Sequence, residues 1–269
     1  MTNPTVSVLT TAYNREKYIA EAIESVQSST LSNYEHIIVD DGSTDKTVEI
    51  AKAYAQKDAR IRVFVNEKNL GDYNNRNKAA SHATGKYLKY VDSDDLIYEH
   101  TLEVMVRFME RFPEAGFGLC TASDPKIPFP ICVQPAQAYR EHFEGQGHFF
   151  RAPASSIIKR EAFEKVGGFS GKRMIGDNEL WFTLGRYFPL VKLVTGLSWD
   201  RIHGEQEKFS DYAKNYAKLL FDVTVDALMH EDCPLQGEER LATLKKVQAD
   251  YRKQKIKSKV SRLKNMIRH

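Results

Sequence analysis

Apolar and polar positions change period in a regular way along the first third of the chain. Thr5 to Thr11 is a short β-branched apolar run, and after it Tyr18, Ile19, Ala22, Ile23 and Val26 recur at steps of three and four. The first pattern is that of a buried strand, the second that of one helix face. The pair repeats: His36 to Val39 leads into a helix opened by Ser43 or Thr44 and running to about Asp58, and Ile61 to Val65 leads into a helix through about Ala83. Tyr87 to Val91 closes the series as a further strand. Strands alternating with helices join by right-handed crossovers, which predicts an α/β fold with a mostly parallel sheet and helices on both faces. Ligands of such sheets sit beyond the carboxyl ends of the strands. That rule selects Thr11 to Asn14, Asp40 to Ser43 and Asp92 to Asp95.

The rhythm loosens after Asp95. A helix from about Glu99 to Arg111 leads to a strand near Gly118 to Ala122, and residues 123 to 153 follow with prolines, aromatics and little periodicity. So long an irregular stretch reads as a lid or binding loop. Order returns with a strand at Ser156 to Ile158, a helix from Arg160 to Val166, a Gly167-Gly168-Phe169 turn, a helix starting near Asp177 and a strand around Val191 to Val194. From Ser210 onward two helices separated by Pro234-Leu235-Gln236-Gly237 complete a C-terminal helical extension.

The chain has 269 residues, 42% of them hydrophobic, which is ample for a large core and excludes a disordered tail protein. Three scattered cysteines suggest neither a disulfide framework nor a zinc knuckle, and a reducing compartment fits. No signal-peptide pattern opens the sequence, and no window approaches the roughly 20 apolar residues a membrane span needs. The expected location is cytoplasmic, with peripheral attachment at the inner face of the plasma membrane. That attachment is suggested by charge. Overall 39 basic residues face 36 acidic ones, but residues 240–269 hold eleven of the former against Asp250 alone. Within this tail Leu241, Leu244, Tyr251, Ile256, Val260, Leu263 and Ile267 recur at helical steps, giving a basic amphipathic helix. It reads either as a helix packed on the domain with a solvated basic face or as one that docks on an anionic membrane; the near absence of aromatic residues argues against nucleic acid.

Two acidic clusters follow predicted strands: Asp40-Asp41-Gly42-Ser43 and Asp92-Ser93-Asp94-Asp95. The first is also good turn and helix-cap chemistry. The second holds three acids where a cap needs one. Clustered carboxylates repel unless a cation sits among them, and one or two carboxylates completed by phosphates and water are how Mg²⁺ or Mn²⁺ is held at nucleotide sites.

With these residues the chain resembles the family 2 glycosyltransferases of GT-A, Rossmann-like fold. Val6 to Glu16 looks like the family's opening strand and loop, Ile37 to Asp45 its second signature, Asn69-Leu70-Gly71 with Arg76-Asn77-Lys78 its third, and Gly85 to Asp95 its D-x-D segment, here D-S-D-D. The resemblance implies an inverting, metal-dependent transferase that moves one sugar from a nucleotide-sugar to a saccharide or lipid-linked acceptor in bacterial surface polysaccharide or glycolipid assembly. Thr11, Ala12 and Tyr13 would line base and ribose, Asp41 would accept a bond from the base, Arg76 would lie near base or phosphate, and Asp92 and Ser93 near the ribose. Asp94 would bind Mn²⁺ or Mg²⁺, with His203 of Arg201-Ile202-His203-Gly204 as a further ligand. Asp177 would be the general base; the family's usual preceding acid is replaced by Gly176, and Glu179 competes for the role. The resemblance further implies a domain at 1–205, split at 98/99 into nucleotide-sugar and acceptor halves, with 206–269 as the helical region. A non-catalytic nucleotide-sugar-binding protein of the same fold is the alternative. Dehydrogenase and P-loop readings fail because Thr-Ala-Tyr-Asn-Arg, the turn after the first strand, lacks glycine.

Overall fold

The computed structural model describes residues 3–122 and 126–267, the side chains of Lys208 and of 258–267 excepted. Its first 90 residues run β1 (Val6–Ala12), α1 (Ile19–Gln27), β2 (Tyr34–Asp40), α2 (Thr47–Ala55), β3 (Ile61–Val65), α3 (Asp72–Ser81) and β4 (Tyr87–Tyr90). All four strands are parallel, in the order β3-β2-β1-β4. Side chains alternate between two cores: Leu9, Ile37, Val39, Leu88 and Tyr90 face one, Val6, Val8 and Tyr87 the other. Burial on both faces explains why β2 reads as a continuous run. Most of its polar atoms find partners: Glu35 accepts from Ser7 Oγ (2.7 Å) and Thr84 N–H (2.7 Å), and Thr10 Oγ1 meets His36 Nε2 at 2.9 Å, while His36 Nδ1 and the Tyr34 hydroxyl are buried without one.

The second half continues with β5 (Leu96–Ile97), α4 (Thr101–Glu110), β6 (Phe117–Cys120), β7 (Ile131–Val133), α5 (Pro135–Glu141), β8 (Ser156–Lys159), α6 (Arg160–Lys165), α7 (Gly176–Tyr187), β9 (Leu190–Leu193), β10 (Ser198–Trp199), α8 (Tyr216–Met229) and α9 (Gly237–Ile267). These strands extend the sheet as β4-β8-β6-β9-β7, with β8 antiparallel to β4 and β6, β9 parallel to β6, and β7 antiparallel to β9. β5 and β10 pair separately.

Three expectations need correction. The helix anticipated at Ser43 or Thr44 begins at Thr47, because Asp40 first folds the chain into a turn by accepting from Gly42 N–H (3.0 Å) and Ser43 N–H (2.8 Å). The described part of 123–153 is not a lid: it contains β7 and α5 and buries Tyr139, His142 and Phe149 in the core. Pro135, one of the prolines of that stretch, starts α5, where a missing N–H costs nothing. The C-terminal stripe is divided. Leu244 and Val247 pack on the core and Tyr251 stacks on Phe221 at 4.1 Å, whereas Leu241 and Ile256 are exposed. Val260, Leu263 and Ile267 have side chains outside the described residues.

Candidate functional site

A cleft of about 1170 Å³ opens where β1, β2 and β4 end. Thr11, Ala12, Tyr13, Asp41, Arg76, Asp92, Ser93, Asp94 and Asp177 all line it. His203 is not among the lining residues, but its Nε2 lies 2.9 Å from Asp94 Oδ2.

β1 leaves the sheet through Tyr13 and Asn14, whose φ of 51° is a left-handed conformation that asparagine tolerates. Asn14 ties this loop to the one after β2: its N–H donates to Ser43 Oγ (2.8 Å) and its Oδ1 accepts from Thr44 N–H (2.9 Å). Tyr13 is left 47% exposed on the cleft wall, a ring available for stacking. Asp41 is buried, and much of its capacity goes to shaping the neighbouring loop. Oδ1 accepts from Asn66 Nδ2 (2.8 Å) and Leu70 N–H (2.9 Å), and Oδ2 from Gly71 N–H (3.0 Å).

Arg76 projects from α3 between two acids, with Nε 2.8 Å from Asp72 Oδ1 and Nη2 2.7 Å from Asp92 Oδ1. Burial opposes its charge, and Asp72 and Asp92 more than outweigh that opposition. Its Nη1 is buried without a hydrogen-bond partner. An orphaned guanidinium donor at a cleft wall is suited to an anionic ligand.

Asp92 to Asp95 follow β4 directly. Asp94 Oδ2 lies 3.2 Å from Arg15 Nε and 2.9 Å from His203 Nε2. Arg201 supports the cluster by donating its N–H to Asp95 Oδ1 (2.9 Å) and its Nε–H to the Asp94 carbonyl (3.0 Å). Burial pushes the Asp95 carboxyl up to about 7, Asp92 adds to the rise, and the Arg201 N–H opposes it. Among the described residues no three His, Cys, Asp or Glu side chains are grouped to hold a metal by themselves. The donor set nevertheless fits a partial site: the Asp94 carboxylate suits Mn²⁺ or Mg²⁺ when phosphate and water supply the rest, and the His203 imidazole 2.9 Å from it is a nitrogen donor that a Mn²⁺ ion accepts more readily than Mg²⁺.

Asp177 stands in the first turn of α7 and lines the same cleft. Burial pushes its carboxyl up to about 6, while the Asn178 N–H and the Tyr73 hydroxyl pull it down. Glu179 points elsewhere, bonded to Ser170 Oγ and paired with Lys172 Nζ at 2.6 Å. Arg15, Asp72 and Tyr73 also line the cleft and had been given no role. Arg15 was within reach of the strand-end rule, whereas Tyr73 carries no local signal.

A profile described as Glycosyl transferase family 2 matches residues 7–167. Glycosyltransferase GlyG of Streptococcus pneumoniae is 31% identical over 204 residues, 70% of this chain and 66% of that protein. A putative teichuronic acid biosynthesis glycosyltransferase, TuaG of Bacillus subtilis, is 43% identical over 111 residues, 40% of this chain and 44% of its own. The first relatives matched run longer than this chain, which spans between 17% and 66% of their length. Among solved structures, S. aureus TarS 1–349 in complex with UDP-GlcNAc superposes with a TM-score of 0.71 at 20% identity, over 91% of this chain and 71% of that one. Mannosyltransferase PcManGT from Pyrobaculum calidifontis, in complex with GDP-Man and Mn²⁺, gives 0.69 at 17% identity over 93% and 70%. These two share the fold. Since the profile spans more than half of the sequence and its residues build the rim of the cleft, the chain belongs to glycosyl transferase family 2.

Proposed function

We propose that the chain moves one sugar from a nucleoside-diphosphate sugar to a hydroxyl of a saccharide or lipid-linked acceptor, with inversion at the anomeric carbon. The observation that carries this reading is the sharing of one cleft by the acids after β4, the half-satisfied guanidinium of Arg76 and the buried carboxylate of Asp177 at the start of α7. UDP-GlcNAc and GDP-Man in the two structural neighbours support the donor class.

Thr11, Ala12 and the exposed ring of Tyr13 form the wall for base and ribose. Asp41 Oδ2 carries a single bond and has room to accept another from the base. Asp92 and Ser93 face the ribose, and Arg76 Nη1 donates to the diphosphate. Asp94, with His203 beside it, would hold a divalent ion, Mn²⁺ or Mg²⁺, which when bound would supply Lewis-acid stabilisation of the charge growing on the leaving diphosphate. The acceptor hydroxyl is far too weak an acid to ionise alone. Asp177, charged at neutral pH but close to titration, accepts its proton as the bond to the anomeric carbon forms. A single base opposite the leaving group gives one in-line displacement, hence inversion. Hydrolases that must also protonate a leaving oxygen need paired carboxylates.

Residues 1–205 constitute the GT-A domain, with 1–98 serving the donor and 99–205 the acceptor, and 206–269 the helical region. Assembly of a bacterial surface polysaccharide or glycolipid is the setting, supported by the likeness to TuaG. No helix among the described residues is long and apolar enough to cross a membrane. Contact with an anionic leaflet falls to the basic tail beyond Tyr251, where residues 252–257 are exposed.

Asp177→Asn tests the reading. Turnover of UDP- and GDP-sugars should fall by about 10²–10⁴-fold, while calorimetry with UDP or GDP and Mn²⁺ shows unchanged binding. The raised carboxyl pKa means that ionised Asp177 is a folding penalty above pH 6, so the amide should melt no lower than wild type at pH 7–8. Undiminished turnover would remove Asp177 as the base.

A further inference from the structure

The carboxylates of Asp92, Asp94 and Asp95 repel one another unless cations stand among them, and the structure supplies two guanidinium groups. Arg76 is paired with Asp92 at 2.7 Å and with Asp72 at 2.8 Å, and only 8% of its side chain is exposed. Arg15 is held at Asp94 more loosely. Its Nε lies 3.2 Å from Asp94 Oδ2, and its Nη1 donates to the Tyr13 and Asn14 carbonyls at 3.2 Å each. All three bonds are at the long end of the N–H···O range, and Nη2 takes part in none of them. The backbone of Arg15, by contrast, is fixed: its N–H donates to Thr47 Oγ1 (2.7 Å) and its carbonyl accepts from Ile19 N–H (2.9 Å). Only the side chain is left to swing, and it lines the cleft.

We propose that Arg15 is a placeholder cation: its guanidinium neutralises Asp94 until a diphosphate enters the cleft, then turns to the diphosphate and frees Asp94 for the divalent ion. This assignment rests on Asp94 being the metal-binding acid. Asp94 Oδ2 has a second partner, His203 Nε2 at 2.9 Å, but the His203 side chain is only 10% exposed and packs its ring on Tyr18, with centroids 4.7 Å apart. Of the two, Arg15 is the one that can leave. While it stays, a divalent ion at Asp94 meets a like charge and a carboxylate that is already neutralised. A diphosphate reverses the balance, because its oxygens accept the planar fork of a guanidinium in bidentate fashion. Diphosphate and metal therefore bind better together than either does alone, and Arg15 carries part of that coupling.

Arg15→Gln keeps a polar side chain and the backbone bonds and removes the charge. Mn²⁺ titrated by electron paramagnetic resonance into the full chain without nucleotide should bind about tenfold more tightly than in wild type. UDP or GDP, measured by calorimetry in saturating Mn²⁺, should bind about tenfold more weakly, so the coupling between the two ligands falls. Arg15→Lys keeps the charge without the fork. It should leave Mn²⁺ alone as weakly bound as in wild type and still hold the nucleotide less tightly. Unchanged Mn²⁺ affinity in Arg15→Gln, or unchanged nucleotide affinity, would overturn the proposal. Asp94→Ala titrated alongside separates the two claims: if it loses Mn²⁺ while Arg15→Gln behaves as wild type, only the role of Arg15 falls, and if it binds Mn²⁺ as wild type does, the metal site itself is wrong.

Discussion

The two walls of the cleft are built by different means. On the wall proposed for the donor, Thr11, Ala12, Tyr13, Asp41 and Asp92 to Asp94 end parallel strands or follow them within a few residues, so the sheet register places them. On the wall proposed for the acceptor, Asp177 stands at a helix start that packs against α3, far away in sequence. Strand ends deliver side chains by local rules, whereas a helix terminus must be docked. The donor wall should accordingly tolerate changes that leave the strands intact, and the acceptor wall should respond to small changes in packing and protonation.

The largest expected contrast is in pH dependence. With its pKa pushed up to about 6 by burial, Asp177 is ionised above that value and protonated below it. Turnover at saturating substrates should be level above pH 7 and fall roughly tenfold per unit below pH 6. A profile flat to pH 5 would show that no carboxylate in this environment acts as the base. The smallest effect concerns a region outside both walls. Removing residues 252–269 should weaken co-sedimentation with anionic vesicles, by about 1 kcal/mol for each Lys or Arg that approaches the surface, and leave turnover of soluble substrates unchanged. Equal sedimentation of both forms would assign the basic face of α9 to solvent.

The same contrast explains what the sequence made legible. The elements up to β4 could be read to within a few residues because period and turn chemistry agree there, except at Asp40 to Ser43, where cap and turn signals are the same residues and the turn prevails. The second half was harder. Pro135 and Pro153 concealed helical starts, and β7 is a three-residue edge strand with too little sequence for a period. The acids after β4 and Asp177 could be singled out by position and motif. Asp41's bonds to Leu70 and Gly71, and the meeting of Tyr73 with Gly176, could not, since both depend on how distant segments close on one another.

The claim on which the rest depends is that the acids after β4 bind a diphosphate through a cation. Calorimetry of UDP and GDP with and without Mn²⁺, on wild type and Asp94→Ala, addresses it directly. The account predicts nucleotide binding that requires Mn²⁺ in the wild type and is weakened in Asp94→Ala by more than about tenfold, or 1.4 kcal/mol. Equal affinity in the two proteins, or binding indifferent to the metal, would contradict it.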